Sequence, residues 1–168
     1  GCAARRIFGL ACTALVAAAS PAPVIVKAPA AITGSPNASV TLPVTLQSEG
    51  NDVSSIAFAA QIDTTQLAFD PTDADEDGVP DAIMLNAPAG MLRMALYEAA
   101  TGKIQIALAG MTVPLPVLED GIVANIQLMG KATASGSSAP VVLEDVSLGD
   151  IEGGRVPVAV ELVAPESS

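Results

Sequence analysis

Apolar and polar residues alternate with a period of two along much of the chain. Residues 39–46 run Ser, Val, Thr, Leu, Pro, Val, Thr, Leu, which sets Val40, Leu42, Val44 and Leu46 on one side of an extended segment. Ile56, Phe58, Ala60 and Ile62 alternate in the same way. A short apolar run, Val24-Ile25-Val26, precedes them, and further strand candidates occupy 91–97, 103–109, 121–129, 141–148 and 155–162. Turn-forming residues separate these segments: Gly34-Ser35-Pro36-Asn37, Glu49-Gly50-Asn51-Asp52, Thr101-Gly102, Glu119-Asp120-Gly121 and Glu152-Gly153-Gly154. No 3.6-residue period is sustained despite the many alanines. Short strands at this spacing predict an all-β fold, a sandwich of two sheets. Pro43 has no amide hydrogen, which predicts an edge or outward-facing place for its strand.

Composition narrows the function. The chain has 168 residues, 51% of them apolar, so it is no disordered acidic tail. It has no histidine and no tryptophan, one tyrosine and three phenylalanines. Without histidine there is no His-dependent triad and no His-ligated zinc. With 18 acidic against 7 basic residues and a net charge of −11, it is no nucleic-acid partner, because phosphate affinity comes from Lys and Arg. Phe58, Phe69 and Tyr97 are expected to anchor the core rather than to bind a ligand.

The first twenty residues differ from the rest. Arg5-Arg6 is followed by an uncharged stretch, 7–19, ending in Ala17-Ala18-Ala19. A basic start, a short apolar stretch and a small-residue end predict a secretory signal peptide over 1–20. The stretch is too short for a membrane span of about 20 residues, and no later segment offers one. Arg5-Arg6-Ile7-Phe8 only partly resembles a twin-arginine signal, and Gly9-Leu10-Ala11-Cys12 is a poor lipobox. Both cysteines, Cys2 and Cys12, fall in the leader, so the mature chain is expected to carry no disulfide. Its charge becomes −13, from five basic and eighteen acidic residues. One domain is expected over 21–164, with 165–168 a tail or the start of a linker.

One segment breaks the strand pattern. Residues 70–81 carry Asp70, Asp73, Asp75, Glu76, Asp77 and Asp81. Asp73, Asp75 and Asp77 stand at positions 1, 3 and 5 of a D-x-D-x-D-G frame, Gly78 at the sharp turn and Asp81 at position 9. Alternate carboxylates converging on one hard cation, with the Val79 carbonyl at position 7, predict a structural calcium site. Met84 stands at position 12, so the bidentate glutamate of an EF-hand is missing. The alternative is a solvated acidic turn, in which crowded carboxylates repel one another unless a cation neutralises them.

The order of the segments resembles a cohesin domain. Residues 34–46 resemble its opening turn and strand, and 53–63 its strand ending in an acidic residue. Leu67-Ala68-Phe69-Asp70-Pro71 is similar to its L-x-F segment, and 102–108 and 120–128 to its G-x-I-x-I and G-x-L-A-x-I-x-F strands. The likeness runs over about 24–163. It implies a flattened jelly-roll sandwich of about nine strands. It also implies a non-catalytic module that binds dockerin domains of other secreted proteins, often polysaccharide-degrading enzymes, through one sheet face that includes the strands at 53–63 and 91–109. The acidic loop looks like an insertion, and Leu128 stands where the family often has an aromatic.

The leading expectation is therefore a secreted or cell-surface cohesin-like module with a calcium loop. Its partner is a dockerin-type or other secreted protein, and polysaccharide is met through associated proteins. A carbohydrate-binding module is the first alternative, with Tyr97 the one stacking candidate. A structural subunit of a surface layer or fibre is the second. An enzyme is not expected. Glu119/Asp120 and Glu144/Asp145 are acid pairs, but neighbours on a strand point to opposite faces and do not converge. Gly153-Gly154 reads as a hairpin turn, not a phosphate loop.

Overall fold

A computed structural model describes residues 22–136 and 138–164. The leader expected at 1–20, with Cys2 and Cys12, and the tail at 165–168 lie outside them. The described residues form thirteen strands and no helix. In chain order they are β1 (Val24–Pro29), β2 (Ala31–Thr33), β3 (Ser39–Gln47), β4 (Val53–Gln61), β5 (Leu67–Ala68), β6 (Ile83–Leu85), β7 (Met91–Glu98), β8 (Lys103–Gly110), β9 (Gly121–Gly130), β10 (Ser138–Pro140), β11 (Val142–Asp150), β12 (Arg155–Val156) and β13 (Val158–Val163).

Two sheets face each other. One has the order β13-β1-β3-β9-β5, with β6 also paired to β9; the other has the order β12-β11-β4-β8-β7. A small pair, β2 with β10, stands apart from both. All pairings among the described strands are antiparallel except β1 with β13. The chain changes sheet repeatedly: from β3 to β4, back for β5 and β6, across again for β7 and β8, and back for β9. This is the sandwich that the strand pattern predicts, in the jelly-roll form that the resemblance implies.

Alternation builds the core. Leu42, Val44 and Leu46 of β3 point inward, as do Ile56, Phe58 and Ala60 of β4, Ile104, Ile106 and Leu108 of β8, and Ile126 and Leu128 of β9. Val40 packs at the margin of this cluster. Leu128 is itself buried, so an aliphatic side chain fills the place where the resemblance expects an aromatic. Phe58 and Phe69 are buried, and the Tyr97 ring packs on Phe69 with centroids 4.8 Å apart.

The strand count exceeds the expected nine for two physical reasons. β2, β5, β6 and β10 have only two or three residues each, too few to show a period. The segment 155–162 is also divided at Pro157, and its two pieces join different sheets. Of the two places that Pro43 predicts, β3 does not take the edge, since it lies between β1 and β9, but Pro43 does face outward between buried Leu42 and Val44. The β1 ladder ends at Thr45, however, and Pro43 pairs only with Asn125 of β9. The strand is thus locally an edge at the one residue that lacks the amide.

The turn before β3 is held from the far end of β9. The Ala38 amide donates to the Ser35 carbonyl at 3.1 Å, with Pro36 and Asn37 in the middle and Asn37 at φ 59°. This suits a type II turn, where the third residue needs positive φ. The Asn37 amide donates to the Gly130 carbonyl and the Gly130 amide to the Ala38 carbonyl. A β-carbon on Gly130 would stand 1.9 Å from the Ser35 carbonyl oxygen. Gly130→Ala is therefore expected to push turn and strand apart and to cost at least about 1–3 kcal/mol of stability, read as a lower urea midpoint at unchanged slope.

Candidate functional site

Two features outside the core carry recognisable chemistry, the acidic loop and one outer sheet face. The loop between β5 and β6 is closed by its own backbone and carboxylates. The Asp81 amide donates to the Thr72 carbonyl at 2.8 Å, and the Asp81 carboxylate accepts from the Ala74 amide at 3.1 Å. Asp73 accepts from the Asp77 and Gly78 amides at 3.2 and 2.9 Å. Glu76 and Gly78 adopt positive φ, and Gly78 supplies the sharp turn that its position in the frame requires. The Val79 side chain is buried in the core cluster, and the Gly78 carbonyl accepts from the Ala95 amide of β7 at 3.3 Å. The loop is thus tied to the sandwich at its middle.

Of the five residues expected as cation ligands, Asp73, Asp75 and Asp81 come together, each offering an oxygen within 4.8 Å of the others. Oxygens bound to one calcium ion at 2.3–2.6 Å stand at most about 4.6–5.2 Å apart. Asp77 is not in this group; its carboxylate accepts from the Val79 amide at 2.8 Å. The crowding is visible in the acidities. A hydrogen bond to Asp73 holds the Asp75 carboxyl above the usual range, helped by burial and by the charge of Asp77. Burial pushes Asp73 the same way, but bonds from the Gly78 amide, Asp75 and the Asp77 amide outweigh it and keep Asp73 below. Such a pair relieves its repulsion by sharing a proton or a cation.

The sequence expectation for the two acid pairs is met only in part. Asp120 accepts from the Ser48 amide at 3.0 Å; hydrogen bonding from Ser48 holds its carboxyl below the usual range and ties the β3–β4 turn to the start of β9. Glu144 and Asp145 do not face opposite ways. Glu144 lies opposite Ala59 and Ser147 opposite Ala57, so two residues of β11 oppose one of β4. This bulge, with Asp145 at φ 53°, breaks the alternation and brings Asp145 to the outer face. The Glu144 carboxylate stands 3.5 Å from the Lys103 ammonium on that same face. Its Oε2 has no hydrogen bond, so this pairing is coulombic.

That outer face of β11, β4, β8 and β7 is largely apolar. Ala57 of β4 stands opposite Ala107 of β8, and Ala107 opposite Met94 of β7; Ala59, Gln105 and Leu96 form the next row. Ala59 is only 2% exposed yet lies outside the core cluster. Leu92, Met94 and Leu96 form an apolar ridge, exposed by 44%, 51% and 64%. Met94, Leu96 and the alanine floor bound a hollow of about 310 Å³, which Asp145 also lines. The Asp145 carboxylate has no hydrogen bond or ion pair among the described residues. Sequence reasoning placed the strands of this face but missed its residues. The signal was the loss of alternation in Met91-Leu92-Arg93-Met94-Ala95-Leu96, where apolar side chains fall on both faces. No helix among the described residues is long and apolar enough to cross a membrane.

The model of the cohesin domain family matches residues 26–163. The comparison with curated proteins finds no match. Among solved structures, the sixth cohesin of scaffoldin B from Acetivibrio cellulolyticus, in complex with a Cel5 dockerin, is 24% identical with a TM-score of 0.62, over 86% of this chain and all of that one. The cohesin–dockerin complex Coh-OlpC–Doc435 of Clostridium thermocellum gives 8% identity and a TM-score of 0.64, over 85% and 95% of the two chains. The cohesin module of a family 33 glycoside hydrolase from Clostridium perfringens gives 10% and 0.61, over 85% and 98%.

The ridge makes little contribution to holding the fold. Met94→Ser and Leu96→Ser are expected to change stability by no more than about 0.5 kcal/mol. Ile106→Ala, on the inner face of the neighbouring strand, should cost about 2–5 kcal/mol. Urea unfolding of the three variants checks both.

Proposed function

The chain belongs to the cohesin family, and on that premise we propose that it is a secreted, non-catalytic module that binds a dockerin-type partner through the outer face of β11, β4, β8 and β7. The observation that carries this reading is the ridge Leu92, Met94 and Leu96 over a floor of alanines. Exposed apolar side chains cost solubility unless a partner covers them. Small residues on β4 and β8 let a partner backbone come close, and the ridge supplies the buried contact area from which most binding energy comes. Asp145 adds a charge that a partner Lys or Arg can meet, which favours one orientation. The named cohesin–dockerin complexes among the structural neighbours support the partner class. Three of its four strands, β4, β7 and β8, are also those that the resemblance assigns to docking.

The acidic loop completes the proposal as a structural calcium site held by Asp73, Asp75 and Asp81, with the Val79 carbonyl as a further oxygen. Its support is the convergence of three carboxylates at calcium-like spacing. Attached to the core by Val79 and to β7 through Gly78, a loaded loop would steady the edge of the docking sheet. The extracellular setting supplies calcium in excess. Polysaccharide enters only through the proteins that such a module gathers.

Two measurements test these readings. Calorimetric titration with purified calcium-loaded dockerins from the same organism is expected to give one-to-one binding. Leu96→Asp should weaken it by tenfold or more, about 1.4 kcal/mol. Absence of binding to every dockerin would discard the partner class. Melting of this chain alone in millimolar calcium and in chelator should differ by several degrees, and Asp73→Asn with Asp81→Asn should remove the difference. Equal melting temperatures for the parent chain rule out the site.

A further inference from the structure

The connection from β8 to β9 carries an apolar surface of its own. Residues 111–117 hold no charged side chain in a chain of net charge −11. Met111 is 67% and Val113 97% exposed. The segment is nevertheless fastened. The Met111 amide donates to the Gly90 carbonyl and the Leu118 amide to the Val53 carbonyl, both at 2.8 Å, and Leu118 is buried. Leu115 and Pro116 lie over Gly110, where a β-carbon would come within 3.2 and 3.0 Å of them. Thr112 fills the space beside Gly90, and Pro114 and Pro116 fix their own φ angles. Apolar side chains presented from a fastened loop lose little entropy when covered.

Position gives the occupant. The outward series on β8 is Gln105, Ala107 and Ala109, and alternation makes Met111 its next member. Leu92 stands opposite Ala109, and Met91 opposite Gly110. The ridge on β7 therefore runs out at Leu92 beside Met111, and the apolar surface continues from the sheet onto the loop without a charged residue in that path. We infer that residues 111–117 extend the docking face, so that the dockerin-type partner seated on the sheet reaches past its end and covers Met111 and Val113 with apolar side chains. The inference rests on the docking reading above and adds to it a second contact, one that discriminates among dockerins by the apolar character of their far end.

The test uses Met111→Asp and Val113→Asp in the full chain beside Leu96→Asp, titrated with the dockerin that binds the parent. Each loop variant is expected to weaken binding about tenfold with an unchanged urea midpoint. If an aspartate lowers the midpoint, Val113→Ser replaces it in the titration, with a smaller loss expected. Loop variants that bind like the parent, while Leu96→Asp does not, overturn the extension and leave the sheet face standing. No dockerin binding to the parent overturns both. A parent dimer in sedimentation that Val113→Asp abolishes assigns the loop to a second copy and overturns the inference.

Discussion

The structure depends on strict alternation along strands that face each other across an aliphatic core. Leu42, Val44 and Leu46 on one sheet and Ile56, Phe58, Ile104, Ile106 and Leu108 on the other are almost fully withdrawn from water. A shift of one residue in any of these strands would turn its whole inward set outward. Because the inward set is fixed, the outward set is fixed too. Ala57, Ala59, Ala107, Met94 and Leu96 lie on the open face because their neighbours are committed to the core. The face proposed for docking is thus the complement of the core.

Where alternation fails, the failure has consequences. On β9, Val44 pairs with Ala124 and Thr45 with Ile122, so Val123 is the extra residue; Val123 and Ala124 are both buried. That bulge adds to the core. On β11 the bulge at Asp145 acts in the opposite direction and brings an unpaired carboxylate to the rim of the apolar hollow. Positive φ in a residue other than glycine costs about 1 kcal/mol or more, which the surrounding ladder must offset. The acidic loop follows the same logic of attachment. Its charges face solvent, but Val79 in the core and Gly78 on β7 fix its middle.

Much of this was legible because strands of eight or nine residues repeat the two-residue period often enough to be seen. β3, β4, β8 and β9 were all readable from sequence. The turn at Pro36 and Asn37 was readable because those residues are suited to its backbone angles. The pieces of two or three residues, β2, β5, β6 and β10, were not, since they exist only by pairing with partners distant in the chain. The D-x-D-x-D-G frame identified the loop, but not that Asp77 turns its carboxylate to the Val79 amide while Asp81 joins Asp73 and Asp75.

By itself the sequence determined the all-β class, the inward series of the long strands, the absence of histidine chemistry and the place of the acidic loop. These follow from residue type and local period. Tertiary structure alone decided the side of the sheet that Asp145 takes, the strand beside which Pro43 is tolerated, and the surface that Leu92, Met94, Leu96 and Met111 make together. Those depend on register and on bulges, which pairing between distant strands sets and no local pattern encodes.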